Sequence, residues 1–154
     1  MALSPGYLAG FFDSEGCLYV YESKTKRKKG IVKQMMARVM ISNTHLPVLQ
    51  AIQSEYGGNI NKIASKPGAL QNLRLDINGH TKILKFLSVV QPHLHVKKEQ
   101  VDLFMTDYAP TMQGMNGTYR PLTPEQHAKR LEVRDKLRIL KRISYYPQKT
   151  LAIQ

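Results

Sequence analysis

The sequence has few of the residues that form covalent or metal cross-links. Its 154 residues include one cysteine, Cys17, which excludes an internal disulfide and any metal centre built from several cysteines. No segment approaches the roughly 20 apolar residues of a membrane span, and the N-terminus lacks a basic region followed by a long apolar run. We therefore expect an intracellular, reducing compartment, either an organelle such as a chloroplast or mitochondrion or a prokaryotic cytoplasm.

Acidic residues are also scarce. The chain has 11 Asp and Glu against 23 Lys and Arg, which gives a formal net charge of +12. Such an excess favours a polyanionic partner, because neutralised phosphates release condensed counterions. Nucleic acid fits this charge, while an anionic membrane surface and simple solubility are alternatives on composition alone. The length suits one domain, residues 1–154, with its own core.

The first predicted helix combines a nearly bare face with two acids at its end. Ser4 is a good N-cap and is followed by proline, so the sequence predicts a helix over Pro5–Phe12. Asp13 and Glu15 follow directly. An ordinary buried helix before a glycine turn is the alternative. The small residues that would let a second helix approach closely are Gly6, Ala9 and Gly10.

Two hairpins are predicted after this helix. The first pairs a strand over 17–23 with one over 31–42, because both alternate apolar and polar residues. Between them Lys24–Gly30 carries five positive charges into a glycine, which indicates an exposed tip, with a solvated turn as the alternative. The second hairpin pairs 59–64 with 72–77 across a Lys-Pro-Gly turn.

Caps and helical spacing of apolar residues indicate four more helices. Asn43 or Thr44 is expected to cap the second helix and Asn78 the third, and Thr123 opens the last with a capping box. The second helix is predicted to end at Tyr56. The following three are predicted over 79–89, 97–108 and 124–143. The last is strongly basic, which a solvated face could explain, and its predicted buried stripe is Leu131, Leu137 and Leu140.

This order of elements predicts an α+β fold in which helices cover one face of a four-stranded antiparallel sheet. The other face would carry residue types that contact phosphates or base edges. An ordinary solvent-exposed sheet face is the alternative. It explains less well why the same hairpin ends in a segment with five positive charges. The candidate DNA-contacting residues are Tyr19, Tyr21, Ser23, Lys24, Lys26, Arg27, Lys28, Lys29, Gln34, Met36, Arg38, Met40, Asn61, Asn72, Arg74 and Asp76.

The segment Leu8–Gly16 resembles the defining motif of the LAGLIDADG homing endonucleases, through its Leu-Ala-Gly, the acid at Asp13 and the acid-glycine pair at Glu15. Further segments that resemble the family follow in the right order, and they are Ile41–Asn43, Glu55–Gly58, Gln91–Pro92 with Leu94, Lys97–Gln100 and Leu122–Thr123. The resemblance implies a saddle-shaped sheet in an αββαββα core. The implied parts are this core over about 5–108, a C-terminal helical extension over 109–143 and a tail over 144–154.

The resemblance implies a metal-dependent DNA endonuclease with acids at the ends of two motif helices. Glu15 matches the metal-binding acid, the backbone of Ser14 is a further ligand, and Asp13 has a supporting role behind the metal or at the helix end. Mg²⁺ is the expected cofactor, because it prefers hard oxygen ligands, and Mn²⁺ is expected to substitute for it.

Two further residues match catalytic positions of the family. Asn43 corresponds to the polar residue that orders active-site water. Lys97 corresponds to the basic residue near the attacking water or the developing charge, and its neighbour Lys98 is the alternative.

The sequence contains the motif once, so the resemblance implies a homodimer in which the second motif helix comes from an identical chain. The implied interface residues are Gly6, Ala9, Gly10 and Asp13. The expected partner is a long, roughly palindromic double-stranded DNA, and no membrane partner is expected. Two alternatives remain open, an RNA-splicing maturase acting on its own intron RNA and a DNA-binding regulator that no longer cuts.

Overall fold

The structure is a computed structural model that describes residues 2–112 and 121–145, with side chains of the second range described through residue 143. Parts of the predicted extension, 113–120, and of the predicted tail, 146–154, lie outside the described residues. No helix of the described part is long and apolar enough to cross a membrane. The helices and strands are α1 Pro5–Glu15, β1 Gly16–Arg27, β2 Gly30–Asn43, α2 Leu46–Tyr56, β3 Asn59–Lys62, β4 Leu73–Asn78, α3 His80–Val90, α4 Lys98–Leu103 and α5 Pro124–Tyr145.

The four strands form one sheet in the order β1-β2-β4-β3, so the predicted α+β fold with a four-stranded antiparallel sheet is confirmed. β4 pairs antiparallel with both β2 and β3. In this register Arg38 lies opposite Asn78, and Met40 lies opposite Asp76. Ile60 lies opposite Leu75, which places it on the apolar side, and β3 ends at Lys62, earlier than predicted.

The chain divides into two compact units, each described here by itself. The first unit contains the chain through Tyr19 together with Ala37–Lys97. Its core packs Phe12 of α1 edge-on against Phe86 of α3 at 5.4 Å, and Tyr56 of α2 meets the same ring at 5.3 Å. The buried apolar strand residues of this unit, which alternate as predicted, are Leu18, Ala37, Val39, Ile41, Leu75 and Ile77.

The second unit contains Val20–Met36 and the chain from Lys98 onward. The predicted helix 97–108 is α-helical only through Leu103 and continues as a π turn over Phe104–Tyr108 and a 3₁₀ turn over Ala109–Met112. The last helix, α5, opens with the predicted capping box, since Thr123 and Gln126 exchange hydrogen bonds of 3.0 and 3.2 Å. Its buried residues differ from the predicted stripe in that Leu131 and Leu140 are half-buried, whereas Arg130, Val133 and Leu137 are buried.

Candidate functional site

Helix α1 extends through Glu15 and therefore carries both acids in its last turn. Ser4 caps it as predicted, its hydroxyl oxygen accepting a 3.2 Å hydrogen bond from the Tyr7 N–H. The predicted end at Phe12 was three residues short. At Gly16 the chain leaves the helix, and a Cβ there would lie 2.0 Å from the Phe12 ring. Glycine is therefore required at this position by close packing.

The two acids of α1 have different environments. The Asp13 carboxylate accepts hydrogen bonds from three backbone N–H groups, those of His95 at 2.8 Å, Val96 at 3.2 Å and Lys97 at 2.9 Å. Asp13 thus ties α1 to the segment that leads into α4, which agrees with the expected helix-end role. Glu15 is exposed at the last position of α1. Glu15 is therefore the acid of this pair that faces solvent.

Lys97 lies at the C-terminal end of α1, where the two acids are. It is 3% exposed, and its ammonium group donates to the backbone carbonyl of Asp13 and lies 5.8 Å from the centre of the Phe12 ring. A cation near the last carbonyls of a helix is favourable, because those carbonyls carry the negative end of the helix dipole. Lys98, the alternative, is exposed and pairs with Asp102 at 2.8 Å. The structure therefore brings Lys97 to the end of α1.

Asn43 lies at the end of β2 beside α1. Its side-chain oxygen accepts a 2.8 Å hydrogen bond from the His45 N–H, and the His45 imidazole accepts one from the first turn of α2. The prediction that Asn43 or Thr44 caps α2 was therefore wrong, because His45 is the cap. Asn43 also lines a cavity of about 450 Å³ together with Tyr7 and Phe11.

The exposed face of α1 differs in part from the predicted interface. Gly6 and Gly10 are exposed, and a Cβ at either would have no atom within 4 Å. Ala9 is 0% exposed, so its inclusion in that face was wrong, because it lies among the core-facing residues of the helix. Sequence reasoning missed Tyr7 and Phe11, whose rings stack at 5.9 Å beside the glycines. Their spacing of four residues was the available signal.

A second group of polar residues lies on the sheet of the first unit. Arg74 and Asp76 of β4 form an ion pair of 2.7 Å, and Asn61 of β3 donates to the same carboxylate at 3.0 Å. Arg38 of β2 lies 4.0 Å from Asp76 and donates to the Asn78 side chain at 2.8 Å. Asp76 therefore lies on the outward face of the sheet as predicted, but it is only 5% exposed because these partners cover its carboxylate.

Asn78 also departs from its predicted role. It was expected to cap α3, but the N-cap position is Gly79, which makes no side-chain capping bond. The Asn78 side-chain oxygen instead accepts the hydrogen bond from Arg38. A partner 40 residues away in the sequence competes for this amide, and no local pattern reveals it.

The other candidate DNA-contacting residues are distributed over both units. In the first unit Tyr19 is 42% exposed, Met40 is half-buried, and Asn72 lies one residue before β4. In the second unit β1 continues through Arg27, so the predicted tip shortens to a turn at Lys28 and Lys29. The residues of the second unit that are exposed are Lys24, Lys26, Arg27, Lys28, Lys29 and Met36, and those half-buried are Tyr21, Ser23 and Gln34.

The sequence from residue 8 to residue 106 matches the model of a protein family described as LAGLIDADG endonuclease. This match covers well over half of the chain, so the protein belongs to the LAGLIDADG endonuclease family. The family resemblance of Leu8–Gly16 is thereby confirmed. A search of curated proteins gives no match.

Solved structures of homing endonucleases have the same fold. I-TnaI is 23% identical with a TM-score of 0.67, and the match covers 94% of this chain and 99% of that chain. The archaeal intron-encoded I-Vdi141I in complex with DNA is 21% identical with a TM-score of 0.66, and the match covers 88% of this chain and 82% of that chain. I-CvuI in complex with its target in the presence of 2 mM Ca is 18% identical with a TM-score of 0.64, covering 88% and 80%.

Proposed function

We propose that this protein is a site-specific homing endonuclease that acts as a homodimer on a long, roughly palindromic duplex. It hydrolyses one phosphodiester in each strand with the help of a divalent metal ion. The observation that carries this proposal is the geometry of α1, which presents the family motif on an exposed glycine face and ends in the exposed Glu15. The family membership of residues 8–106 supports it.

The sheet and its first hairpin supply the DNA-binding surface in this proposal. The hairpin carries exposed lysines and Arg27 at its end, and the sheet of the first unit carries Arg38 and Arg74. Basic residues at the end of the hairpin are suited to phosphate contacts. The guanidinium groups of the sheet can also recognise guanine in the major groove. The DNA complexes of I-Vdi141I and I-CvuI, which share the fold, support a duplex as the partner.

The residues at the end of α1 fit a hard divalent cation. Glu15 offers exposed carboxylate oxygens, and the last-turn carbonyls of a helix, including that of Ser14, have no donor within the helix. Asp13 is occupied by three amides and supports the site from behind. Bound there, Mg²⁺ would lower the pKa of a water and stabilise the charge on the phosphate oxygens, and Mn²⁺ would substitute.

The protein's own groups complete the proposed site. Lys97 is held at the Asp13 carbonyl, and a positive charge at this end of α1 would favour the negative charge that a phosphate gains during cleavage. Asn43 keeps amide N–H groups for a water, because the bond to His45 uses its side-chain oxygen. Within the described residues no three His, Cys, Asp or Glu side chains group closely enough to hold a metal ion. In the proposed dimer the second chain contributes the second Glu15.

Replacing Glu15 by Gln tests the catalytic part of the proposal. We expect Glu15→Gln to lose Mg²⁺-dependent cutting by at least about a hundredfold while it retains DNA binding, because the amide cannot serve as a charged ligand. Cutting of candidate insertion-site DNA and binding are measured side by side. Glu99→Gln, which changes an exposed acid at the start of α4, is the matched control and should cut normally.

Two outcomes would contradict the proposed reaction. Tight binding without cutting by the unaltered protein would favour a DNA-binding regulator. Specific binding and splicing of intron RNA without DNA cutting would favour a maturase.

Replacing Gly10 by Leu tests the homodimer. The monomer has room for a side chain there, and glycine disfavours helix, so the single chain should remain folded. We expect Gly10→Leu to be monomeric in sedimentation and to lose cutting, because the larger side chain keeps a second α1 from approaching. Ser88→Leu places the same side chain at an exposed position of α3 and is the control. A monomeric unaltered protein that cuts both strands would disprove the paired site.

A further inference from the structure

A cluster around Asp76 lies on the sheet of the first unit, and it consists of Arg38, Asn61, Arg74, Asp76 and Asn78, here called the Asp76 cluster. The carboxylate is at its centre. Arg74 approaches Oδ1 with its Nε at 2.7 Å and donates to Oδ2 from Nη2 at 3.0 Å. The Asn61 amide donates to Oδ2 at 3.0 Å, and the Arg38 Nη1 lies 4.0 Å from the same oxygen. One acid therefore touches groups from three strands.

The strand register explains why these side chains meet. Asn61 of β3 lies opposite Arg74 of β4, and Arg38 of β2 lies opposite Asn78 of β4. Residues directly opposite one another, or two positions apart on one strand, share a face of the sheet. The apolar neighbours Val39, Leu75 and Ile77 are buried on the other face. The Asp76 cluster thus lies on the face opposite the core of the first unit.

The charged groups in the Asp76 cluster differ in exposure. The Asp76 side chain is 7% exposed, whereas the Arg38 and Arg74 side chains are 29% and 35% exposed. Two guanidinium groups therefore remain accessible while the carboxylate that orients them does not. A guanidinium is a rigid planar fork with five N–H donors, so fixing one edge also fixes the direction of the others.

We propose that Asp76 is a positioning residue for base recognition. It touches no base, but it holds Arg38 and Arg74 in fixed orientations, so that the base preferences at the positions they contact depend on it. This inference rests on the proposed function as a DNA endonuclease. The carboxylate has a second effect, because its negative charge disfavours a phosphate beside the two arginines and leaves base edges as their better partners.

A purely structural ion pair is the alternative explanation, and the two make different predictions. A structural pair would stabilise the sheet, and its loss would weaken binding to every DNA sequence alike. A positioning carboxylate acts on discrimination. Its loss should reduce the preference for the correct bases and strengthen binding to unrelated DNA, because a negative charge leaves the binding surface. Base discrimination is therefore the measurement that separates the two explanations.

The experiment compares Asp76→Asn with Glu22→Gln. Glu22 is exposed on β1 and belongs to the second unit, so Glu22→Gln makes the same charge change at a residue outside the Asp76 cluster. A target is first selected from a randomised duplex library with the unaltered protein. Competition binding then gives the preference of each variant at every base pair, and Arg38→Ala and Arg74→Ala identify the base pairs that depend on each arginine.

The expected result is a loss of about tenfold in discrimination for Asp76→Asn, confined to the base pairs identified by the two arginine variants, since a good bidentate arginine contact discriminates by about this factor or more. Binding to mixed-sequence DNA should strengthen at the same time. Glu22→Gln should keep the preference profile of the unaltered protein. An unchanged profile in folded Asp76→Asn would overturn the proposal, whether binding is equal or uniformly weaker.

Arg74→Ala decides the question if Asp76→Asn does not fold. With Arg74 absent the carboxylate shifts toward Arg38, so the preference at the base pair read by Arg38 should change as well. A change limited to a single base pair would overturn the proposal. If the unaltered protein selects no duplex sequence at all, the proposed function fails and this inference fails with it, an outcome distinct from an unchanged profile of Asp76→Asn.

Discussion

The two units both hold arginine side chains in fixed positions, but they do so with different partners. In the second unit Arg130 is 2% exposed and donates to the Met35 carbonyl at 2.8 Å and to the Thr111 hydroxyl at 2.7 Å. In the first unit Arg38 and Arg74 stay partly exposed around a buried carboxylate. The comparison shows that arginines in this chain occupy two kinds of environment, one fully buried and one partly exposed to solvent.

The environment of Arg130 is that of a structural group. It connects α5 to β2 over 95 residues of sequence, and its guanidinium lies 4.8 Å from the Tyr108 ring centre. Burial lowers the pKa of Arg130, and the neighbouring Tyr108 hydroxyl opposes this effect. Carbonyl and hydroxyl acceptors satisfy the N–H groups without exposing them to solvent. Arg130 thus joins the Met35 carbonyl of β2 to Thr111 inside the second unit.

The largest expected effect comes from Arg130. Replacing it by Met should lower the free energy of unfolding by about 3–4 kcal/mol, because the Thr111 hydroxyl and carbonyl lose a donor at about 1–3 kcal/mol each and the Met35 carbonyl keeps only the longer 3.4 Å bond from Tyr108. Urea unfolding measures this, with exposed Arg142→Met on α5 as the control. A loss below 1 kcal/mol would show that Arg130 does not support the second unit as described.

The free energy of unfolding should depend on pH through Tyr108, the neighbour of Arg130. Burial raises the pKa of Tyr108 from 10.0 to about 12, against the opposing influence of Arg130. Between these values the unfolded chain loses the tyrosine proton and the folded chain keeps it. The free energy of unfolding should therefore fall by up to about 3 kcal/mol as pH rises from 10 toward 12.

Comparison with Tyr108→Phe isolates this contribution from those of other tyrosines and lysines. The phenylalanine ring can retain the stacking on Phe104, whose ring centre is 4.6 Å away. The difference in unfolding free energy between the two proteins should be constant below pH 10 and shrink above it. An equal slope in both proteins would contradict the raised pKa.

The smallest stability effect is expected at the sheet. Arg74→Ala should cost only about 1 kcal/mol in urea unfolding, because the pair with Asp76 is partly exposed and Arg38 lies 4.0 Å from the same carboxylate. It should nevertheless reduce DNA discrimination far more than Arg130→Met does in folded protein. A stability loss as large as that of Arg130→Met would remove the distinction between the two arginine environments.

Local patterns in the sequence predicted the elements well. Ser4 before proline marked the start of α1, and the Thr123–Gln126 capping box marked the start of α5. Alternation placed Leu18, Val39 and Ile41 in the core. These features depend on neighbours within a few residues, so the sequence alone specifies them.

The failures share a different cause. The Asn78 side chain bonds to Arg38 and does not cap α3, Asp76 is covered by Asn61 of the neighbouring strand as well as by Arg74, and Arg130 is buried against Met35, 95 residues away. Ala9 is buried with Leu8 and Phe12 on the core-facing side of α1, whereas Gly6 and Gly10 are exposed. Each error concerns a side chain whose partner is fixed by tertiary packing, which periodicity does not encode.

The link between Asp13 and residues 95–97 has a consequence for sequence drift. All three donors to the carboxylate are main-chain N–H groups, which every residue except proline possesses. His95 and Val96, whose side chains are exposed, can therefore change during evolution without breaking this link, provided that neither becomes proline. Asp13 itself has no such freedom, so divergence around the C-terminal end of α1 should spare the acid and alter the segment that it holds.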